Sequence, residues 1–158
     1  MRPSGEVRLS YPGFVSKTKA LEFLDSRVEW VEQSRERFAE RGAVRVEYSA
    51  EEIEQMRHEA KEWLPGRVAF WAEKFGFRYG RVTIRASRSK WGSCSGENNI
   101  SLSLFLMTLP PHLRDYVIIH ELCHTVHHNH SKSFHSLVDQ CLAGEEKNLR
   151  SELRRFSI

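Results

Sequence analysis

Tyr116-Val117-Ile118-Ile119-His120-Glu121-Leu122-Cys123-His124 is the stretch on which the reading of this chain turns. His120 and His124 are four residues apart, so on a helix they stand one turn apart on the same face. Two imidazoles in that position can share one metal ion, each at about 2.0–2.1 Å. Glu121 is rotated by roughly 100° from His120. It therefore falls outside the ligand pair but within reach of a metal-bound water, where it can act as general base. Ile119, Leu122, Cys123 and Val126 form an adjoining apolar stripe, expected to anchor the helix so that its metal face lines a cleft.

Two ligands do not make a catalytic zinc site, which usually has three protein groups and one open position. His130 is the best third candidate. On an unbroken helix it would lie about 15 Å along the axis from His120, so the helix must end between His124 and His130. Asn129 can take the left-handed conformation that ends helices, and Ser131 can cap the helix that follows. His127, His128, His135, Glu145 and Glu146 are rivals for the third position. The competing bland reading is that these histidines are ordinary hydrogen-bonded residues in a histidine-rich segment. The helical setting, the apolar backing and a plausible break before His130 favour a metal site.

Upstream, Glu6 to Ser10 reads as a short strand ended by Pro12-Gly13. Leu21, Leu24, Val28, Val31 and Phe38 recur at helical spacing from Lys17 to about Arg41, with Gly42 as the stop. Ser49 and Glu52 form a capping box for a helix striped by Ile53, Met56, Ala60 and Trp63, which Pro65-Gly66 is expected to kink or break. The helical pattern resumes through Val68, Trp71 and Phe75, and Gly76 closes it. Residues 81–86 alternate with period two and predict a strand. Residues 87–98, rich in serine and glycine, read as a loop, and Ile100, Leu102 and Leu104 mark a second strand. Pro110-Pro111 opens the histidine helix, which runs to about His128. A further helix begins after Ser131 and a last one covers about 145–156. Helices, then a small sheet, then helices again predict an α+β fold.

The length of 158 residues suits a single domain, with a helical part at about 14–78 and a catalytic part at about 80–158. Apolar residues at 40% and charged residues at 28% exclude a disordered or fibrous chain. The net charge of +3 is too small to argue for nucleic acid by itself. No stretch is long and apolar enough to span a bilayer, and the N-terminus lacks an apolar core of signal-peptide length. Cys94, Cys123 and Cys141 form no CxxC pair, which points to free thiols in a reducing cytoplasm. Oligomeric state is not legible.

Several motifs in order extend the reading: Arg85, Arg88, Lys90-Trp91-Gly92-Ser93-Cys94, Asn99-Ile100-Ser101-Leu102, Asp115-Tyr116-Val117, His120 to His124, Asn129-His130-Ser131 and Phe134. Together they resemble the YgjP-like metal-dependent hydrolases, zincins related to the SprT-type metallopeptidases. The helical region from Pro12 to Phe38, with Trp30, is similar too. The resemblance implies a zincin-like fold, one zinc ion on His120, His124 and His130, and Glu121 as base. Two departures stand out. Arg88 and Lys90 exchange the usual lysine and arginine before Trp91, and His135 stands where the family has tryptophan.

The expectation is a zinc-dependent hydrolase, a metallopeptidase that cleaves peptide bonds in peptide or protein substrates by Glu-assisted attack of metal-bound water. The alternative is a nucleic-acid-binding module or DNA-associated protease of SprT type, suggested by Lys147, Arg150, Arg154 and Arg155 on the last helix. Glu145, Glu146 and Glu152 on that same helix favour a plain solvated face. A third reading is a metal-holding scaffold without turnover, against which the intact Glu121 argues.

Overall fold

The computed structural model describes residues 9–32 and 47–158. The chain divides into two compact units, Met1–Arg45 and Val46–Ile158. In the first, helix α1 spans Lys17–Asp25, with the Ser16 hydroxyl accepting from the Lys19 N–H at its start. The single long helix expected from Lys17 to Arg41 does not form: the chain turns at Ser26 and Arg27 before helical structure returns at 28–32. Ser26 closes α1 by bonding back to the Glu22 and Phe23 carbonyls, a local competition typical of serine. Gly42, and residues 6–8 of the expected first strand, lie outside the described residues; 9 and 10 carry no strand pairing.

The second unit opens with α2, Ala50–Phe75, whose Ser49–Glu52 capping box forms as expected. Pro65 and Gly66 do not break it. The residues that face the core, Ala60, Leu64, Val68 and Ala72, recur at four-residue spacing on both sides of the proline. Burying Leu64 and Val68 contributes about 1.5–3 kcal/mol each, enough to offset the roughly 3 kcal/mol that an interior proline costs. Gly76 ends the helix in the left-handed region at φ 74°, where a side chain would be strained.

Strands β1 (Val82–Arg85), β2 (Gly92–Cys94) and β3 (Ile100–Ser103) form a mixed sheet in the order β1-β3-β2, with β1 parallel and β2 antiparallel to β3. The expected loop at 87–98 thus contains a strand, too short and too poor in apolar residues to show periodicity. Ser103 ties the segment together: its N–H donates to the Trp91 carbonyl at 2.8 Å and its buried hydroxyl to the Ser87 carbonyl at 2.7 Å. A buried 3-10 helix, Leu104–Thr108, follows β3 and takes Leu104 out of the expected strand.

Helix α3, Pro111–Cys123, is the centre of the unit. Leu113, Tyr116, Val117, Ile118, Ile119, Leu122 and Cys123 are all buried, so it is apolar nearly all round, as a central helix must be. Val126 departs from the expected anchoring stripe and is exposed, because the helix has already ended. Asp115 locks α3 to α2. Its two oxygens accept from Arg67 Nε and Nη2 at 2.6 Å each, and Oδ1 also accepts from Trp71 Nε1 at 2.9 Å. Such a bidentate, charge-assisted pair sets the helices in register. Helices α4 (Lys132–Cys141) and α5 (Glu146–Leu153) pack on α3 and complete the unit.

Candidate metal centre

Helix α3 stops at Cys123, five residues short of the expected His128, and His124 is its C-cap. The stop has a local cause. Thr125 donates its hydroxyl to the Leu122 carbonyl at 2.7 Å, and the N–H groups of Thr125, Val126 and His127 turn back to Leu122 and Cys123. Asn129 plays no left-handed part: among the described residues, non-glycine residues at positive φ are Asn98 and Ala143. The chain then re-enters a helix at Ser131, whose hydroxyl accepts from the Phe134 N–H. This break and restart bring His130 back over the end of α3.

The three rings converge. His130 Nε2 lies 3.2 Å from both His120 Nε2 and His124 Nε2, and the three donor atoms fall within 4.8 Å of one another. His124 Nδ1 sits 2.9 Å from the His127 carbonyl. A carbonyl only accepts, so Nδ1 carries the proton and Nε2 presents a lone pair to the centre. His130 Nε2 faces two ring nitrogens at once, and a single N–H on it cannot serve both well. A metal ion can: four-coordinate tetrahedral geometry at about 2.05 Å places ligand nitrogens about 3.3 Å apart. The donor set, three imidazoles, suits zinc.

Phe134 forms the floor of the cluster. It is fully buried, stacks on His124 at 4.2 Å between centroids and meets His120 and His130 edge-on at 4.9 Å each. The apolar floor desolvates the rings. His120 is pushed down to about 3, chiefly by burial and then by its histidine neighbours, and His124 is lowered for the same first reason. Neutral imidazole is the ligating form. His120 Nδ1 is buried without a hydrogen-bond partner among the described residues.

Glu121 is nearly buried, at 6% exposure, and its carboxylate lies against β2. A Cβ built on Gly92 would stand 2.7 Å from Glu121 Cγ and 2.8 Å from Oε1. Only glycine leaves room for that carboxylate. Burial pushes Glu121 up to about 7, and the charge of Lys90 draws it partly back. Gly92 and Phe134 are thus site residues to which the sequence reading assigned no role. The glycine of Lys90-Trp91-Gly92 and the residue three after the Ser131 cap were the available signals.

The rival ligands are not in the converging group, although the His135 ring stands beside it, 6.0 Å from that of His130 between centroids. His135 Nδ1 is 2.6 Å from Glu146 Oε1, and His127 offers its backbone carbonyl to His124. His128 and Glu145 are not in the converging group. On the basic last helix, Arg150 reaches Glu146 at 4.0 Å, and Glu152 takes His112 at 2.9 Å.

The YgjP-like, metallopeptidase domain family model matches residues 45–156, which span the site and most of the chain. The chain belongs to the YgjP-like family. The family makes it a metal-dependent peptidase, the class of chemistry that three convergent imidazoles and a buried carboxylate suit. Among solved structures, the chain is similar to the metallopeptidase zymogen of Pyrococcus abyssi abylysin. Identity is 23% and the TM-score 0.50, over 60% of this YgjP-like chain and 98% of that one. At that identity the likeness shows the fold alone. The comparison with curated proteins finds no match.

Proposed function

We propose that the protein is a zinc-dependent metallopeptidase with His120, His124 and His130 as the metal ligands and Glu121 as the general base. The observation that carries this reading is the meeting of three imidazoles, with His130 Nε2 3.2 Å from the Nε2 atoms of both His120 and His124, on the helix that also carries the buried Glu121. A zinc ion held by these three imidazoles would supply a Lewis acid that lowers the pKa of water toward about 7 and polarises a carbonyl.

The chain's own residues do the rest. Glu121 accepts a proton from the attacking water and returns it to the leaving amine. Its burial, which raises it to about 7, gives it the basicity for that exchange near neutral pH. Gly92 leaves the space in which the carboxylate sits. His127 orients His124 through its carbonyl. Strand β2 is an edge of the sheet among the described residues, so an extended peptide can add to it by main-chain pairing, next to Glu121. The three thiols, none in a disulfide, fit a reducing, cytoplasmic setting.

Glu121→Gln tests the reading. The variant should keep stoichiometric zinc by elemental analysis, while cleavage of a fluorogenic peptide that the wild type cuts falls by about 10²–10⁴-fold or more. A Glu121→Gln enzyme working at the wild-type rate would remove Glu121 from the reaction.

A further inference from the structure

The face of the sheet turned away from Glu121 carries its own chemistry. Period two puts Arg81, Thr83 and Arg85 on one side of β1 and sends Val82 and Ile84 to the other. The register extends that polar side across the sheet: Thr83 lies opposite Ser101, and Ser101 opposite Ser93. Together with Lys90 these residues line a groove of about 700 Å³. Arg81, Arg85 and Lys90 are exposed, and among the described residues none of the three side chains is in an ion pair. Among the described residues one carboxylate, Glu97, lines the groove against these three cations, and it accepts from Asn99 Nδ2 at 3.2 Å. A concave surface of hydroxyls and unpaired cations recognises anions.

The groove and the cleavage site share strand β2, one on each side of it. Gly92 borders it and also packs against Glu121, and Lys90 stands at its rim with its charge acting on Glu121. A peptide paired to the free edge of β2 turns every second side chain toward this face. The arginines stand on β1, two strand spacings of about 4.8 Å from β2. They are therefore met by a stretch of chain that leaves β2 and crosses the sheet. No exposed aromatic ring lines the groove among the described residues, so it lacks the stacking platforms on which single-stranded nucleic acid is held.

We propose that this groove binds an acidic segment of the peptide substrate, continuous with the residues held at β2, and so selects sites flanked by aspartate and glutamate. This rests on the peptidase reading above and adds its substrate class.

Matched fluorogenic peptides test it, with four glutamates or four glutamines on one or the other side of the same scissile bond. With zinc-loaded enzyme, kcat/KM should favour a glutamate peptide by about tenfold at low salt, the value of two or three exposed ion pairs. The preference should fade as ionic strength rises. The double variant Arg81→Glu/Arg85→Glu should lose the preference while cutting the glutamine peptides as before. Equal rates on all peptides, or a preference that survives the double variant, would overturn the proposal. Fluorescence anisotropy of the same peptides on Glu121→Gln protein reads the groove without turnover. Tighter glutamate-peptide binding there, with no cleavage by the wild type, would sink the peptidase reading and leave the acid-binding groove standing. An oligothymidylate bound more tightly than the glutamate peptides through the same arginines would overturn the proposal in favour of nucleic acid.

Discussion

Replacing Gly92 by alanine should disable hydrolysis while leaving the metal in place. The new Cβ would meet Glu121 Cγ at 2.7 Å, Oε1 at 2.8 Å and Cδ at 3.0 Å, whereas ordinary contact begins at 3.4 Å. The carboxylate must therefore retreat by about 3.4 − 2.7 = 0.7 Å, and the backbone of β2, paired with Leu102 and Ile100 of β3, cannot give way in its stead. Misplacing a reacting group by about 1 Å costs on the order of 10²-fold in rate, so kcat/KM should drop by tens to about a hundredfold. Overpacking adds about 1–3 kcal/mol of destabilisation. The three imidazoles do not touch Gly92's added methyl among its three nearest atoms, so zinc stoichiometry should be unchanged. The assay pairs kcat/KM on a peptide substrate with elemental analysis and a thermal melt. A Gly92→Ala enzyme with wild-type kcat/KM, or one that loses zinc together with activity, would refute the placement of Glu121 against β2.

His130 is exposed, so His130→Ala should remove the ion with little change in the melting curve of the metal-free protein; stoichiometric zinc in the purified variant would contradict the three-histidine set. Asp115→Ala strands Arg67 and Trp71 Nε1 and should destabilise the protein by about 1–3 kcal/mol, a range discounted for partial exposure; an unchanged denaturation midpoint would show that the α2–α3 lock is idle. The pH response of the metal-free protein has opposing parts. His120, lowered to about 3, contributes stability that is present above its unfolded value of 6.5 and is lost as pH falls toward 3. Glu121, raised to about 7, works the other way: stability is present below its unfolded value of 4.5 and is lost as pH climbs toward 7. In Glu121→Gln only the histidine part remains, so its denaturation midpoint should fall more steeply than the wild type's between pH 6.5 and 4.5. Parallel profiles would argue against one or both shifts.

What the sequence disclosed, and what it hid, follows from the range of the forces involved. The capping box at Ser49, the glycine stop at Gly76 and the Ser131 cap are local, and each was legible from a few neighbouring residues. The His120–His124 pair was legible for the same reason, because a helix converts spacing into direction. The end of α3 is not legible because a threonine hydroxyl and backbone turns stop it, not the left-handed Asn129 that residue preference suggests. Pro65 misled in the opposite sense: packing against the core outweighs a local penalty that is all the sequence displays. Strand β2 is not legible because three residues carry no periodicity, and neither is the role of Gly92, whose meaning depends on a carboxylate 29 positions further on.

That long separation has a kinetic consequence. The imidazole cluster is assembled within one short run of chain, ten residues from its first ring to its last, so gathering it requires closing only a small loop, whereas bringing the sheet to the carboxylate closes a larger one.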